Sequence, residues 1–565
     1  MSYYRSVPFI GLLAASVFVV CSVESRTLHA EAINLSRQNE RPVTIPAIRE
    51  WRSKAGWFLL NSNSRIVVSS SAPFELKDTA KLFAGELRSI SGQAVAEFVQ
   101  QNPIPREGDI LLAIDPENQT LGDEGYNISI GPYIAVRARK SAGVFYGTRT
   151  LLQIIHQSAS GKGIMLPKGD IRDWPQYQER GLMIDIARKY FTPQWLQRRV
   201  LDLAYLKMNY LHLHISDNEG FGIKSDHRGF CRPEGGVLSK DEVRDLIAMA
   251  QRYYITVVPE IDMPGHMGAI LCDNPYARFQ LKGLLGITNH YVLDITSKEA
   301  REFAKKVIAE YIGLFPGKYW HMGADEVFLF PWEAWLFPSF ENHAKEKYGP
   351  TASTKDTIND FVNEINAFVR RQHSKSLRVW NDQVGNGVPK SAIAADVTVD
   401  WWTDFSSDNW LPMQIVGDDH HIMNHGWWPT YYVTGGFVRP PNPDMGTAYE
   451  SWSVEQFRGN RYFLPTAPSD PHILPPDKKR LNLGAALNVW NDEPNFVNEV
   501  DVSNAIFEPL RVMAQKTWGS PALYSDFHSF QGAIRTVGEA PPISFRRVQT
   551  CLTSKRPGGC APRLR

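Results

Sequence analysis

With 565 residues, 43% hydrophobic and 21% charged, the chain has the make-up of an ordinary globular protein. That length accommodates two or three domains, or one barrel with an accessory domain. Its 61 basic and 60 acidic residues leave a net charge of +1, which gives no reason to propose a nucleic-acid or anionic-membrane partner.

The N-terminus reads as a secretory leader over residues 1–30: Arg5 precedes an apolar run from Val7 to Val23, with cleavage after Ser25 or near Ala30. A retained anchor is the alternative, because the run is marginally long for a bilayer span. Export makes disulfides of the four cysteines beyond the leader. Three connectivities are open to Cys231, Cys272, Cys551 and Cys560. Pairing Cys551 with Cys560 would close a short loop in the tail (residues 526–565) and leave Cys231 with Cys272. No close Cys pair is joined to a close His pair, so no metal or other cofactor is expected. Glycosylation acceptor triplets stand at Asn34, Asn118 and Asn127.

Residues 41–173 read as a small α/β domain. Strands are predicted at Arg65–Val68 and Asp109–Ile114, helices at Thr79–Ser91 and Gly143–His156, and a hairpin over Tyr126–Ala138 that turns at Gly131-Pro132. Pro167–Gln178, rich in Pro, Gly and Asp, reads as a linker.

From residue 174 to 525 short apolar strands alternate with longer helical runs. The strands are Arg180–Ala187, Tyr210–Asp217, Thr256–Met263, Tyr319–Glu326, Leu377–Asp382, Val397–Trp402, His420–Trp427 and Gly484–Asp492. The helices between them include Pro193–Leu206, Lys240–Arg252, Lys298–Leu314 and Thr357–His373. Eight such units predict an α/β fold, a (β/α)8 TIM barrel behind the small α/β domain. A doubly wound open sheet fits less well, because no Gly-rich phosphate loop follows the first strand.

Seven strands carry an acid at or just past their C-terminal end: Asp185, Asp217, Asp262, Asp325 with Glu326, Asp382, Asp400 and Asp492. Tryptophans stand beside them at 380, 401, 402, 427, 428 and 490. In a barrel these ends share one face, where barrel enzymes place their sites. One such acid is usually a helix cap; this many, interleaved with Trp, fit a carbohydrate cleft better. Asp325 and Glu326 are adjacent. They either open a helix, where acids favour the dipole, or form a pair in which the charge on Asp325 favours a protonated Glu326, as acetal cleavage requires.

Four motifs in order resemble those of glycoside hydrolase family 20, the β-N-acetylhexosaminidases. They are Arg180-Gly-Leu-Met-Ile-Asp-Ile-Ala-Arg188, Leu211-His-Leu-His-Ile-Ser-Asp-Asn-Glu-Gly220, Pro259-Glu-Ile-Asp-Met-Pro-Gly-His266 and His321-Met-Gly-Ala-Asp-Glu326. The resemblance spans nearly the whole mature chain and implies an exported enzyme that removes terminal N-acetylhexosamine from glycans. It implies that Glu326 is the acid/base and that Asp325 orients the substrate's 2-acetamido group, which acts as the nucleophile. It further implies that Arg180 grips sugar hydroxyls, that Trp380, Trp401, Trp402 and Trp490 wall the pocket, and that Tyr431 or Tyr432 donates to the acetamido oxygen. Asp217 and His266 are either a relay to Glu326 or a satisfied buried pair; Arg180 could instead pair with Asp185 or another strand-end acid. Three positions depart from the common pattern: Ala324 for Gly, Phe221-Gly222 for Trp-Arg, and Asp492 for Glu. The last two bear on the sugar and linkage, and Asp492 with Ala324 also resembles lacto-N-biosidases, which release a disaccharide. A silent glycan-binding barrel is the remaining alternative.

Overall fold

The computed structural model describes residues 39–542 except 93, 118, 159–163, 228, 329–330, 436–444 and 461–469. The predicted leader, the triplets at Asn34 and Asn118, and Cys551 with Cys560 lie outside the described residues.

The first layer is a seven-stranded mixed sheet built from β1 (Glu50–Leu60), β2 (Arg65–Ser69), β3 (Ala96–Gln100), β4 (Ile110–Ile114), β5 (Tyr126–Ile130), β6 (Ile134–Ala138) and β7 (Ile164–Asp173), in the order β1-β7-β5-β6-β4-β2-β3. Two helices, α1 (Phe74–Ser91) and α2 (Ser141–Ser158), pack against it. Every residue of α2 from Gly143 to Ile155 is buried. Such a helix has a neighbour on each side: Arg149 pairs with Glu86 of α1 at 2.5 Å, while Gln153 donates to the carbonyls of Ile45 and Tyr205 at 2.7 and 2.9 Å.

The predicted linker is corrected here. Pro167–Asp173 belongs to β7, which pairs with β1 along its length and with β5 from Gly169 onward. Pro167 lies before that second pairing begins, so its missing N–H is tolerated as at a sheet edge. Gly169 makes room for the Trp51 ring, which a Cβ would meet at 2.2 Å.

Eight parallel strands then close into the barrel: β8 (Glu179–Asp185), β9 (Tyr210–Ser216), β10 (Thr256–Ile261), β11 (Tyr319–His321), β12 (Ser376–Trp380), β13 (Thr398–Trp401), β14 (Ile422–Asn424) and β16 (Asn482–Trp490). Each pairs with the next, β14 pairs with β16 (Ile422 opposite Asn482), and β16 returns to β8 (Ala485 opposite Arg180). The crossover helices α3 (Pro193–Tyr205), α4 (Lys240–Arg252), α5 (Lys298–Ile312) and α6 (Thr354–His373) match the predicted runs within a turn. Local chemistry sets their starts. The Thr192 hydroxyl accepts from Trp195 N–H with Pro193 at the first helical position, and Ser239 with Glu242 forms a capping box.

Every barrel strand ends before its predicted limit, six of them by one or two residues and two by more. The fourth stops at His321, and the seventh breaks after Asn424, detours through Trp427 and Trp428, and resumes as β15 (Tyr431–Val433) beside the upper half of β16. The barrel interior is strongly polar. Arg378 pairs with both Asp400 and Glu179 at 2.6 Å, beneath the buried His212, His214, Glu260, His321 and His425. Cys231 and Cys272 form a disulfide.

Candidate active site

At the C-terminal face the tips surround a cavity of about 280 Å³. Asp217, Asp325, Glu326, Asp492, Arg188 and His266 supply its charges, and Trp380, Trp402, Trp427, Tyr431 and Trp490 its aromatic walls. A larger groove of about 770 Å³ lies at the opposite end of the strands, against Glu124, Glu179 and Asn209, away from every tip acid named above.

The turn after β11 aims both adjacent carboxyls into this cavity. In an extended strand neighbours point to opposite faces, but here the backbone is left-handed at Gly323 (φ 69°), Ala324 (φ 71°) and Glu326 (φ 43°). Gly323 is required because a Cβ would lie 1.8 Å from Asp262 Oδ1. Left-handed non-glycine residues each cost roughly 1–2 kcal/mol. Hydrogen bonds hold the turn against that strain: Ala324 N–H to Asp262 Oδ1 at 3.0 Å and Glu326 N–H to Asp382 Oδ2 at 2.9 Å. No helix begins at Glu326; the next is Pro331–Leu336. That removes the helix-start reading of the acids.

His266 sits between the acids and the barrel interior. Its Nδ1 lies 2.9 Å from Asp217 Oδ1, and its Nε2 lies 3.4 Å from Glu326 Oε2 and 3.6 Å from Asp325 Oδ2. Burial alone lowers an imidazole pKa, but the charges of Asp217 and Asp325 outweigh it and hold His266 well above its ordinary value. Asp217 is buried too, which by itself favours the acid form; Arg188 (2.7 Å), His266 and His214 (2.8 Å) reverse this and keep it ionised. The contacts continue inward: His214 Nδ1 is 2.9 Å from Glu260, which also accepts from Trp380 Nε1 at 2.7 Å.

Asp325, Asp262 and Asp382 are pushed the other way, as is Asp492, which burial raises to about 6. Burial raises Asp325, with His266 and a hydrogen bond from Asp262 opposing. Burial and then the Asp325 charge hold Asp262 well above the carboxylate range. Asp382 is pushed up to about 7 by burial and then by Asp325, and it accepts from Trp402 Nε1 at 2.9 Å.

Two clusters among the described residues have the composition of cation sites, His212/Glu260/His321 and Asp262/His266/Asp325. Within them His212 Nε2 lies 2.9 Å from Glu260 Oε2, and His266 Nε2 lies 3.6 Å from Asp325 Oδ2.

Asp217, His266, Asp325, Glu326, Trp380, Trp402, Tyr431, Trp490 and Asp492 all line the cavity, as the sequence predicts. Three others do not. Arg180 is the second residue of β8, at the opposite end of the barrel; it donates to Glu124, the Tyr177 carbonyl and the Lys207 carbonyl at 2.8–2.9 Å. Its ion-pair partner is Glu124 of the first layer rather than a strand-end acid. Arg188, in the turn after β8, reaches the cavity in its place and pairs with Asp217 at 2.7 Å and Asp185 at 3.0 Å. Trp401 follows the period-2 alternation of β13: Asp400 points into the barrel, so Trp401 turns outward against Phe457 and His472, and Trp402 comes back to the rim. On β15 the same alternation turns Tyr431 and Val433 inward and leaves Tyr432 out of the cavity. Arg188, Trp427 and Val433 are thus the missed lining residues. Arg188 closes the first quoted motif, and its place three residues past Asp185, in a strand-end turn, was the available signal.

The model for the glycosyl hydrolase family 20 catalytic domain matches residues 177–521, and that for domain 2 of the family matches residues 41–174. The chain belongs to family 20. A lacto-N-biosidase of Bifidobacterium bifidum is 28% identical over 90% of this chain, and a β-hexosaminidase of Porphyromonas gingivalis is 25% identical over 91%. The chain spans 42% and 65% of those two proteins. Among solved structures, Flavobacterium johnsoniae chitobiase superposes with a TM-score of 0.70 (20% identity, covering 89% of this chain and 73% of that one). A mutant Streptomyces plicatus β-hexosaminidase in complex with its product GlcNAc superposes at 0.67 (22%, covering 91% and 98%). These likenesses give the family the same barrel and preceding layer seen here.

Proposed function

We propose that the chain is an exported, retaining β-N-acetylhexosaminidase acting on glycans that end in N-acetylhexosamine. The observation that carries this reading is the pair of adjacent carboxyls turned into one aromatic-walled cavity, with Glu326 partly open to it and Asp325 enclosed. At about 280 Å³ the cavity sits at the lower end of the roughly 300–1,000 Å³ of small-ligand sites, a size suited to one sugar ring.

In the proposed reaction the 2-acetamido oxygen of the substrate attacks C1, while Glu326 gives its proton to the departing glycosidic oxygen. Asp325 accepts from the acetamido N–H and balances the positive charge of the oxazolinium ring. Tyr431, buried among Trp402, Trp427 and Trp490, donates to the acetamido oxygen. Water then attacks C1, loses its proton to Glu326, and the acetamido group is released with the configuration retained. Arg188 and Asp492 face each other at the mouth and grip the hydroxyls of the non-reducing end. His266 and Asp217 stand in line behind Glu326 and relay charge to it. Export is supported by the Cys231–Cys272 disulfide, since such bonds persist outside reducing compartments. Among the described residues no helix is long and apolar enough to cross a membrane.

Release of a disaccharide is the second reading. The B. bifidum relative favours it, as does the short Asp492 side chain, which leaves more room at the non-reducing end. Turnover of 4-nitrophenyl N-acetyl-β-glucosaminide by the wild type, lost in Glu326→Gln by a factor of about 10²–10⁴, tests the leading reading. Turnover of a lacto-N-bioside alone would establish the second, and no turnover of either glycoside would leave a binding protein.

A further inference from the structure

The pair Asp217 and His266 stands on two loops that one disulfide joins. Asp217 opens the loop after β9, and Cys231 lies further along that loop. His266 lies in the loop after β10, shortly before Cys272. The Cys231–Cys272 bond thus closes a ring whose other closure is the 2.9 Å contact between Asp217 Oδ1 and His266 Nδ1.

Between these two closures the loops lie backbone against backbone. Ala269 N–H donates to the Asp217 carbonyl at 3.1 Å, Gly268 N–H to Asn218 Oδ1 at 3.2 Å, and Cys231 N–H to the Ala269 carbonyl at 2.8 Å. Gly268 permits the approach, since a Cβ there would meet Asn218 Cα at 2.8 Å. His266 is itself left-handed (φ 48°), a backbone that a non-glycine residue keeps only where its surroundings hold it. The helix that follows, Gly268–Leu271, has four residues and no capping side chain, too short to supply that hold alone. Both cysteines are exposed. Exposed disulfides are the readily reduced ones.

We propose that the Cys231–Cys272 disulfide is a positioning element for His266: it keeps the imidazole between Asp217 and Glu326, and its reduction by a dithiol slows the acid/base steps while sugar binding is kept. This rests on the hexosaminidase reading above. In the reduction a thiolate of the dithiol attacks one cysteine sulfur and the S–S bond breaks; the second thiol of the reagent then resolves the mixed disulfide. Two cysteine thiols form and the dithiol ends as its own disulfide, so electrons and protons balance. His266, 3.4 Å from Glu326 and 3.6 Å from Asp325, then loses its alignment with both. Trp380, Trp402, Tyr431 and Trp490 stand on or beside β12, β13, β15 and β16, which the disulfide does not join, so the sugar pocket keeps its walls.

The test measures kcat and KM on 4-nitrophenyl N-acetyl-β-glucosaminide for oxidised enzyme, enzyme reduced with dithiothreitol, and Cys231→Ser/Cys272→Ser, each well below its unfolding temperature. Reduction should lower kcat about tenfold or more, the scale of a catalytic group misplaced by a fraction of an ångström, with KM held within about twofold. Reoxidation should restore kcat. The serine variant should match the reduced enzyme and be indifferent to dithiothreitol, which separates this bond from the tail cysteines. In His266→Gln, reduction should cost little more, because both changes act on one group. Unchanged kcat once alkylation counts both thiols would overturn the proposal. So would an equal loss in the His266→Gln background, or loss of the near-ultraviolet circular dichroism of wild type on reduction, either of which makes the bond a general brace. The reduced wild type decides the matter if the serine variant fails to fold. No turnover by oxidised enzyme would sink the hexosaminidase reading instead. The His266 imidazole nitrogen resonances, assigned against His266→Gln, would then still test the positioning: a shift on reduction supports it and an unchanged signal overturns it.

Discussion

Replacing Asp382 with Asn should stabilise the protein at pH 8 and destabilise it at pH 4. The buried carboxyl has its pKa raised from 3.8 to about 7. A raised carboxyl pKa means the native state keeps a proton that the unfolded chain gives up between about pH 4 and pH 7, so stability falls as pH rises through that window. The difference, 7 − 3.8, is about 3 units, or ~4 kcal/mol at 1.36 kcal/mol per unit, fully felt above pH 7 and nearly absent at pH 4. Asn does not ionise, which removes this term. It also has one acceptor oxygen where two now receive Glu326 N–H and Trp402 Nε1, each at 2.9 Å, and the orphaned donor costs about 2 kcal/mol at any pH. The net expectation is a gain of about 2 kcal/mol at pH 8 and a loss of about 2 kcal/mol at pH 4. Urea unfolding followed by tryptophan fluorescence at the two pH values measures both. The same destabilisation at pH 4 and pH 8 would refute the argument that Asp382 is held protonated by burial and by Asp325.

Arg188→Ala should cut kcat/KM at least tenfold, because it removes a cavity cation, and should also lower Tm, because it leaves the buried Asp185 and Asp217 carboxylates without their guanidinium. Arg180→Ala should leave KM alone and cost about 3 kcal/mol of stability, because it unpairs Glu124 and two carbonyls between the layers. The reverse outcome would restore Arg180 as a ligand. Tyr431→Phe should lower kcat about 100-fold, in the range for losing one donor to a developing charge, while Tyr432→Phe stays near wild type in the same nitrophenyl assay. Asp325→Asn should weaken binding of a thiazoline mimic of the cyclised intermediate; equal affinity for both proteins in calorimetry would count against assistance by the acetamido group. Changing Cys231 and Cys272 to Ser together opens a closed loop of 41 residues and should cost about 4 kcal/mol in chemical denaturation. A change under 1 kcal/mol would show that the denatured chain gains little freedom.

The alternation of short strands with amphipathic helices was enough to place all eight barrel strands, because strands and helices differ in length and period, but the run Tyr319–Glu326 reads as one strand where the structure turns after His321. The strand-end acids were equally legible, since parallel strands deliver every C-terminal end to one face. Direction was not. Arg180 and Arg188 bound the same motif, yet the length of β8 separates them, and only the start of pairing at Glu179 puts Arg180 at the far end. Trp401 and Trp402, like Tyr431 and Tyr432, are neighbours in sequence. The side each takes depends on the pleat, and the pleat's phase is fixed by which partner residues fill the barrel. Pro167 and Gly169 read as a break because their local preferences are a turn's, and the pairing with β1 and β5 overrode them. The sequence by itself determined the barrel, its order and the identity of the two adjacent acids. The tertiary structure decided which side chains share their cavity, because that depends on strand phase, on left-handed turns held by distant carboxyls, and on charges brought together from β8, β9, β10 and β11.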